Sequence, residues 1–167
     1  MKRLITLLAV VSATAIAQSP VAKVAADAKA DWEMIKTTLV KAADKMPEAD
    51  YAFKPIATVR SYGEEVAHAA DIQTMMCSTI TGSGAKPQTG KKTKAELMAY
   101  LNASNAECDK AVGMITDANS TEMVKLPWMS RTKLGILEFN NGHSNETYGT
   151  MVVYLRLKGI VPPSSQK

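Results

Sequence analysis

Two histidines, His68 and His143, are the candidate metal ligands of this 167-residue chain. Neutral imidazole is a common ligand of zinc and other divalent ions. His143 lies on the apolar stripe of a predicted helix, and His68 lies in an earlier one. A single histidine on a helix is more often packed in a core or exposed at the surface, and two ligands do not complete a tetrahedral site. From the residues alone, a metal site and a pair of structural histidines are both open.

The other reactive side chains favour structural roles. Glu64 and Glu65 stand close before His68, but carboxylates at the start of a helix cap its backbone N–H groups and interact with its dipole. The Gly-Ser-Gly at residues 82–84 lacks the strand and the helix-opening Lys of a phosphate-binding loop, and no Gly-x-Ser-x-Gly motif is present. The sequence therefore predicts neither a nucleotide-binding loop nor a serine nucleophile.

Residues 1–17 have the pattern of a secretory signal peptide. A short basic start precedes an apolar stretch at 4–13, which is too short to span a bilayer. Ala-Ile-Ala at 15–17 is typical of a cleavage site, although an uncleaved N-terminal anchor is the alternative. We expect an exported protein, periplasmic or secreted, with one mature domain at 18–167 and no membrane segment after cleavage.

Charge and composition argue against nucleic-acid binding and for a packed core. The formal net charge of +4 falls to +2 when the two basic residues of the signal peptide leave, and this small excess argues against a nucleic-acid footprint, which needs clustered Lys and Arg. Apolar residues make up 46% of the chain, which is enough for one hydrophobic core. We interpret the 10 methionines as filling gaps in that core.

Four segments carry helical signals, at about 20–46, 61–80, 93–115 and 130–159. Capping boxes begin the second and third, since each has Ser or Thr followed three residues later by Glu. Loops are expected between the helices, including 116–127, and no strand-like alternation is seen. The fold class predicted is all-α, a single four-helix bundle after the signal peptide.

The chain resembles the DinB-like family. The resemblance covers the whole mature domain and is most specific at residues 143–149 (HSNETYG) and 154–164 (YLRLKGIVPPS). It is supported by residues 59–71, around His68, and by the first helix with its Met-Pro-Glu end.

The resemblance implies a bundle with helices in up-down-down-up order and a divalent metal, zinc or nickel, held by three histidines. One histidine comes from the second helix and two, spaced i and i+4, from the fourth. Family members include metal-dependent thiol transferases and a thiol-dependent isomerase, and many pair as homodimers. Neither a substrate nor a reaction follows for this chain.

One position departs from the family pattern. His68 and His143 match two of the family's histidines, but Thr147 stands where the third is found. A neutral hydroxyl is a poor ligand beside imidazole. We therefore expect a degenerate metal site that binds metal weakly or not at all, in a pocket also lined by Tyr148 that binds a small molecule.

The alternative is a divalent-metal-dependent enzyme of the thiol-transferase or hydrolase type. In that case two histidines and water hold the ion, with Glu146 or Asp71 as a further ligand. The metal would then activate water or a thiol by lowering its pKa.

Cys77 and Cys108 are the two cysteines, and in an exported protein such a pair is a disulfide candidate. They lie 16 and 15 residues into their helices, so they are level if those helices run parallel, as the family order implies. In an antiparallel hairpin they would be out of reach. Cys77 lies about 180° around the helix from His68, so only a contact on the side of the third helix reconciles both sites.

Overall fold

The structure, a computed structural model, describes residues 20–166. The predicted signal peptide at 1–17 lies outside the described residues. No helix among residues 20–166 is both long and apolar enough to cross a lipid bilayer.

The described part of the chain is mostly helical and forms a bundle, which confirms the predicted class. Its helices are α1 (Pro20–Lys45), α2 (Tyr62–Thr81), α3 (Lys94–Met114) and α4 (Lys133–Leu157). Short 3-10 turns follow α1, at Glu48–Asp50, and α4, at Pro163–Ser165.

Both predicted capping boxes are present. Ser61 Oγ accepts the backbone N–H of Glu64 at 3.2 Å, and Glu64 Oε2 accepts the N–H of Ser61 at 2.6 Å. Thr93 and Glu96 exchange the same two bonds at 3.2 and 3.0 Å. Each box satisfies backbone donors that the first helical turn leaves without partners, and so positions the start of its helix.

The expectation that the chain contains no strand is wrong. An antiparallel hairpin of β1 (Met123–Leu126) and β2 (Met129–Thr132) precedes α4, which begins at Lys133 rather than near Ser130. Thr132 caps α4 by accepting the N–H of Gly135 at 2.9 Å. In β1, Val124 and Leu126 face the core while Met123 and Lys125 are exposed, but three of its four residues are apolar, so the apolar–polar alternation that marks a half-buried strand is missing from the sequence.

The core is built from the predicted helical stripes. Trp32 of α1 is fully buried, and its indole Nε1–H donates to Asp109 Oδ1 of α3 at 2.8 Å. Every residue of the α1 stripe is buried. The buried stripe residues of α1, α3 and α4 include Ile35, Leu39, Ala42, Met46, Leu97, Leu101, Cys108, Ile115, Ile136 and Met151.

Polar and covalent links join α2 to α3. A disulfide connects Cys77 to Cys108, whose Cα atoms are 4.9 Å apart. Two hydrogen-bonded pairs precede it along both helices: Asp71 with Tyr100, and Gln73 with Ser104. α2 thus turns Cys77 towards α3 and, half a turn round, His68 towards α4.

Candidate functional site

His68 of α2 and His143 of α4 meet in the cleft between their helices. Their Nε2 atoms are 3.2 Å apart, and their ring centroids are 4.8 Å apart with the planes inclined by 63°. This distance fits an N–H···N hydrogen bond, in which the tautomers of the two rings determine the donor and the acceptor. Phe139, one turn before His143, stacks on its ring.

Burial keeps both imidazoles neutral. The pKa of His68 is lowered by burial and, less strongly, by the charges of Arg60 and His143. Burial also lowers the pKa of His143, with Glu146 acting in the opposite direction. Both rings are therefore uncharged at neutral pH, which is the form that binds a metal or donates a hydrogen bond to an anion.

Thr147 lies one helical turn after His143 and lines the same small cavity, of about 70 Å³. Thr147 is 3% exposed. Its hydroxyl donates to the carbonyl oxygen of His143 at 3.0 Å, the usual bond of a threonine within a helix. The structure therefore places His68, His143 and Thr147 together.

Glu65 also lines this cavity, although its place near the start of α2 had predicted only an interaction with the helix dipole. Glu64 is the capping residue, whereas Glu65 is 6% exposed and lines the cavity with both histidines. Burial raises the pKa of its carboxyl, and Arg60 Nη1 lies 3.7 Å from Oε1. The spacing of Glu65 and His68 by three residues puts both on one helix face, and this was the available signal.

The other residues proposed for the pocket lie in different places. Glu146 lines the small cavity from an exposed position. Asp71 instead lines a larger neighbouring groove, where Oδ1 accepts Tyr100 OH at 2.7 Å. Tyr148 faces the C-terminal segment, and its hydroxyl bonds to Ser164. The expectation that Tyr148 lines the pocket is therefore wrong: the residue following Thr147 points about 100° further round α4.

The residues present do not complete a three-ligand metal site. With bonds of 2.0–2.1 Å, Nε2 atoms 3.2 Å apart subtend about 103° at a shared ion, near the tetrahedral value. However, no group of three or more His, Cys, Asp or Glu among residues 20–166 is arranged to hold a metal. Thr147 is neutral, and the cation of Arg60 lines the same cavity. The cavity therefore offers a metal ion two nitrogen ligands, from His68 and His143, rather than three.

Comparison with known proteins identifies related sequences and folds. The sequence model of the DinB superfamily matches residues 32–151. A DinB-like protein from Bacillus cereus has 15% identity and a TM-score of 0.69, over 81% of this chain and 93% of that one. A DinB-like protein from Bacillus subtilis has 17% identity and a TM-score of 0.66, over 84% and 99%. Among proteins of curated function, none matches the sequence. At these identities the two structures show a shared fold.

Proposed function

The chain belongs to the DinB superfamily, and on that premise we propose that it binds a small molecule in the cleft between α2 and α4, at a metal site that has become degenerate. The observation that carries the proposal is Thr147. It stands in the cleft with His68 and His143, at the position where the family resemblance implies a third histidine.

The local chemistry of the cleft supports weak metal binding at most. The hydroxyl proton of Thr147 is already donated to a backbone carbonyl, and its remaining lone pairs are weak donors beside imidazole. Any divalent ion at the histidines would lie near the Arg60 guanidinium, which after burial lowers the pKa of both rings, and near Glu146, whose charge acts in the opposite direction. Arg60 opposes a bound cation and Glu146 favours it, so the local charge does not replace the missing third ligand.

The second candidate is a divalent-metal-dependent enzyme of the thiol-transferase or hydrolase type. The spacing of the two Nε2 atoms favours it, since 3.2 Å is close to the separation that two imidazoles on one tetrahedral ion adopt. Both rings are also held neutral, as ligands must be.

Elemental analysis distinguishes the two candidates. Untagged protein, purified without added metal, is analysed for zinc and nickel and then titrated with each ion by calorimetry at neutral pH. The degenerate site predicts well under one ion per chain and weak binding. Stoichiometric metal in the purified protein, retained through dialysis against a chelator, would establish the metal enzyme instead.

We also propose the family's up-down-down-up helix order. The linked pairs of α2 and α3 rise together along both helices, which supports a parallel arrangement. Lys29, early in α1, contacts Ile115 after α3, and Lys94, at the start of α3, contacts Met46 after α1, which supports an antiparallel arrangement of α1 and α3. Ala28 of α1 contacts Asn141 of α4, and Asp50, after α1, contacts Lys158 at the end of α4, which supports a parallel arrangement of α1 and α4. Site-directed spin labels on exposed positions of α2 and α3 test the order by distance.

Export is proposed on the sequence pattern of residues 1–17. The mature protein is expected to begin at Gln18 or within a few residues of it. Intact-mass measurement on protein recovered from an exporting host tests this proposal, and a product that retains Met1 would refute cleavage.

A further inference from the structure

A groove beside the histidine pair has the dimensions of a small-molecule site. Its volume is about 480 Å³, within the range of roughly 300–1,000 Å³ common for ligand pockets. His68 and Arg60 line both this groove and the small cavity, so they stand at the junction of the two. Ala57, Val59 and Ala67 supply an apolar wall.

The acidic side chains of the groove already have partners. Glu64 Oε2 accepts the N–H of Ser61 and lies 3.0 Å from Lys54 Nζ. The Ser61 bond and then the lysine hold the pKa of Glu64 at about 2. The hydroxyl of Tyr100 binds Asp71 at 2.7 Å. These carboxylates are therefore engaged within the protein, and so is the ammonium of Lys54.

The guanidinium of Arg60 is the exception. It donates no hydrogen bond to any of residues 20–166, and its one ion pair is a 3.7 Å contact with Glu65, longer than a hydrogen bond. Its side chain is 51% exposed. The backbone of Arg60 is held in place, because its carbonyl oxygen accepts Tyr154 OH from α4 at 2.6 Å. An anchored arginine with unused donors thus stands beside the His68 ring on the same groove.

We propose that this groove binds a small monocarboxylate, with the carboxylate on the Arg60 guanidinium next to His68 and a short apolar chain against the alanine and valine wall. The planar fork of arginine matches a carboxylate with two parallel hydrogen bonds. On the same groove the carboxylates of Glu64 and Asp71 offset the cations of Lys54 and Arg60, and this balance of charge favours a singly charged anion over a multiply charged phosphate. The proposal rests on the proposed function in one respect, that the cleft binds a small molecule, and it requires no metal.

The test titrates 15N-labelled protein with butanoate at constant ionic strength and follows amide shifts by NMR. The comparison ligands are butanamide, the neutral analogue, and inorganic phosphate. Arg60→Gln removes the proposed contact, and Arg60→Lys keeps its charge but not its fork. Arg156→Gln is the matched control, because it removes one arginine charge from an exposed site near the end of α4. Thermal melts of all variants verify folding.

Butanoate is expected to saturate the wild type and to shift amides of α2 around His68. Arg60→Gln should weaken binding by at least about tenfold, the loss expected for a charge-assisted contact. The affinity of Arg60→Lys for butanoate should lie between those of the wild type and Arg60→Gln, and the affinity of Arg156→Gln should equal that of the wild type. Butanamide and phosphate should bind more weakly than butanoate.

Equal affinity of the Arg60→Gln and Arg156→Gln variants for butanoate would overturn the proposal, and so would the absence of saturable binding by the wild type at millimolar concentrations. Tighter binding of phosphate than of butanoate would refute the monocarboxylate. Zinc and nickel content is measured on the same samples. If the purified protein holds metal tightly and its butanoate affinity still depends on Arg60, only the proposal of a degenerate metal site is rejected. If the protein is free of metal and does not bind butanoate, only the proposal of a carboxylate site is rejected.

Discussion

Restoring the third histidine by Thr147→His should create a metal site. Residues four apart are separated by about 6 Å along a helix and lie on one face, the spacing with which two histidines of one helix bind zinc. His68 already approaches His143 to 3.2 Å from α2. The new imidazole would therefore enter the cavity as a third ligand, and water would complete a tetrahedron.

The magnitude follows from the surroundings of Thr147. Loss of its bond to the carbonyl of His143 costs little, because such bonds within a helix are at best neutral. Overpacking by the larger ring costs about 1–3 kcal/mol, and the adjoining cavity of about 70 Å³ favours the lower end. Losing a residue that only orients a metal ligand typically costs about 10–100-fold in affinity. Gaining a ligand should therefore strengthen binding by more than about tenfold, or about 1.4 kcal/mol.

Calorimetric titration with zinc and nickel at neutral pH is the assay, and two variants serve as controls. Thr147→Val removes the hydroxyl at similar size and should bind metal no more weakly than the native protein. Val153→His adds the same imidazole to α4 at an exposed position outside the cavity, ten residues from His143 and about 15 Å along the axis, so it should leave metal binding unchanged. The reasoning is refuted if the native protein binds stoichiometric metal tightly and Thr147→His adds nothing. Glu146 would then be the first candidate for the missing ligand.

Three further predictions concern stability. Ser61→Ala removes the hydroxyl that caps α2 and should lower the free energy of unfolding by about 1 kcal/mol in urea titrations, with the slope unchanged. Reduction of the Cys77–Cys108 bond, which closes a loop with a sequence separation of 31, should cost about 3–4 kcal/mol. Two reactive thiols in denatured, unreduced protein would contradict that bond. Because His68 and His143 have lowered pKa values, the unfolded chain binds more protons below its ordinary histidine pKa of about 6.5. Stability should therefore be complete above that pH and decline as the pH falls towards the folded values. Urea titrations of His68→Gln should show a smaller decline, and equal pH profiles would count against the lowered pKa values.

The helices could be predicted because their signals are local. A stripe such as that of Trp32, Ile35 and Leu39 repeats within two turns, and a capping box such as that of Ser61 and Glu64 spans four residues. The information that determines these elements therefore lies in adjacent sequence. The β1–β2 hairpin could not be predicted, because its strands are only four residues long, show no apolar–polar alternation in sequence and are defined by pairing with each other.

The residues of the site were identifiable from the sequence in part, through their types and their match to the family. His68, His143 and the departure at Thr147 were evident in this way. The roles of Glu65 and Tyr148 were not, because neighbours along a helix point about 100° apart, and only packing determines which of them faces the cleft.

By itself, the sequence determined the helical segments, their caps, the family and the absence of the third histidine. The tertiary structure decided what surrounds the remaining two. It brought together side chains 75 residues apart, buried Glu65 beside them, and left the Arg60 guanidinium without a hydrogen-bond partner among residues 20–166. These features depend on how α2 and α4 pack, since long-range contacts arise from the combined burial of several helices rather than from any local pattern.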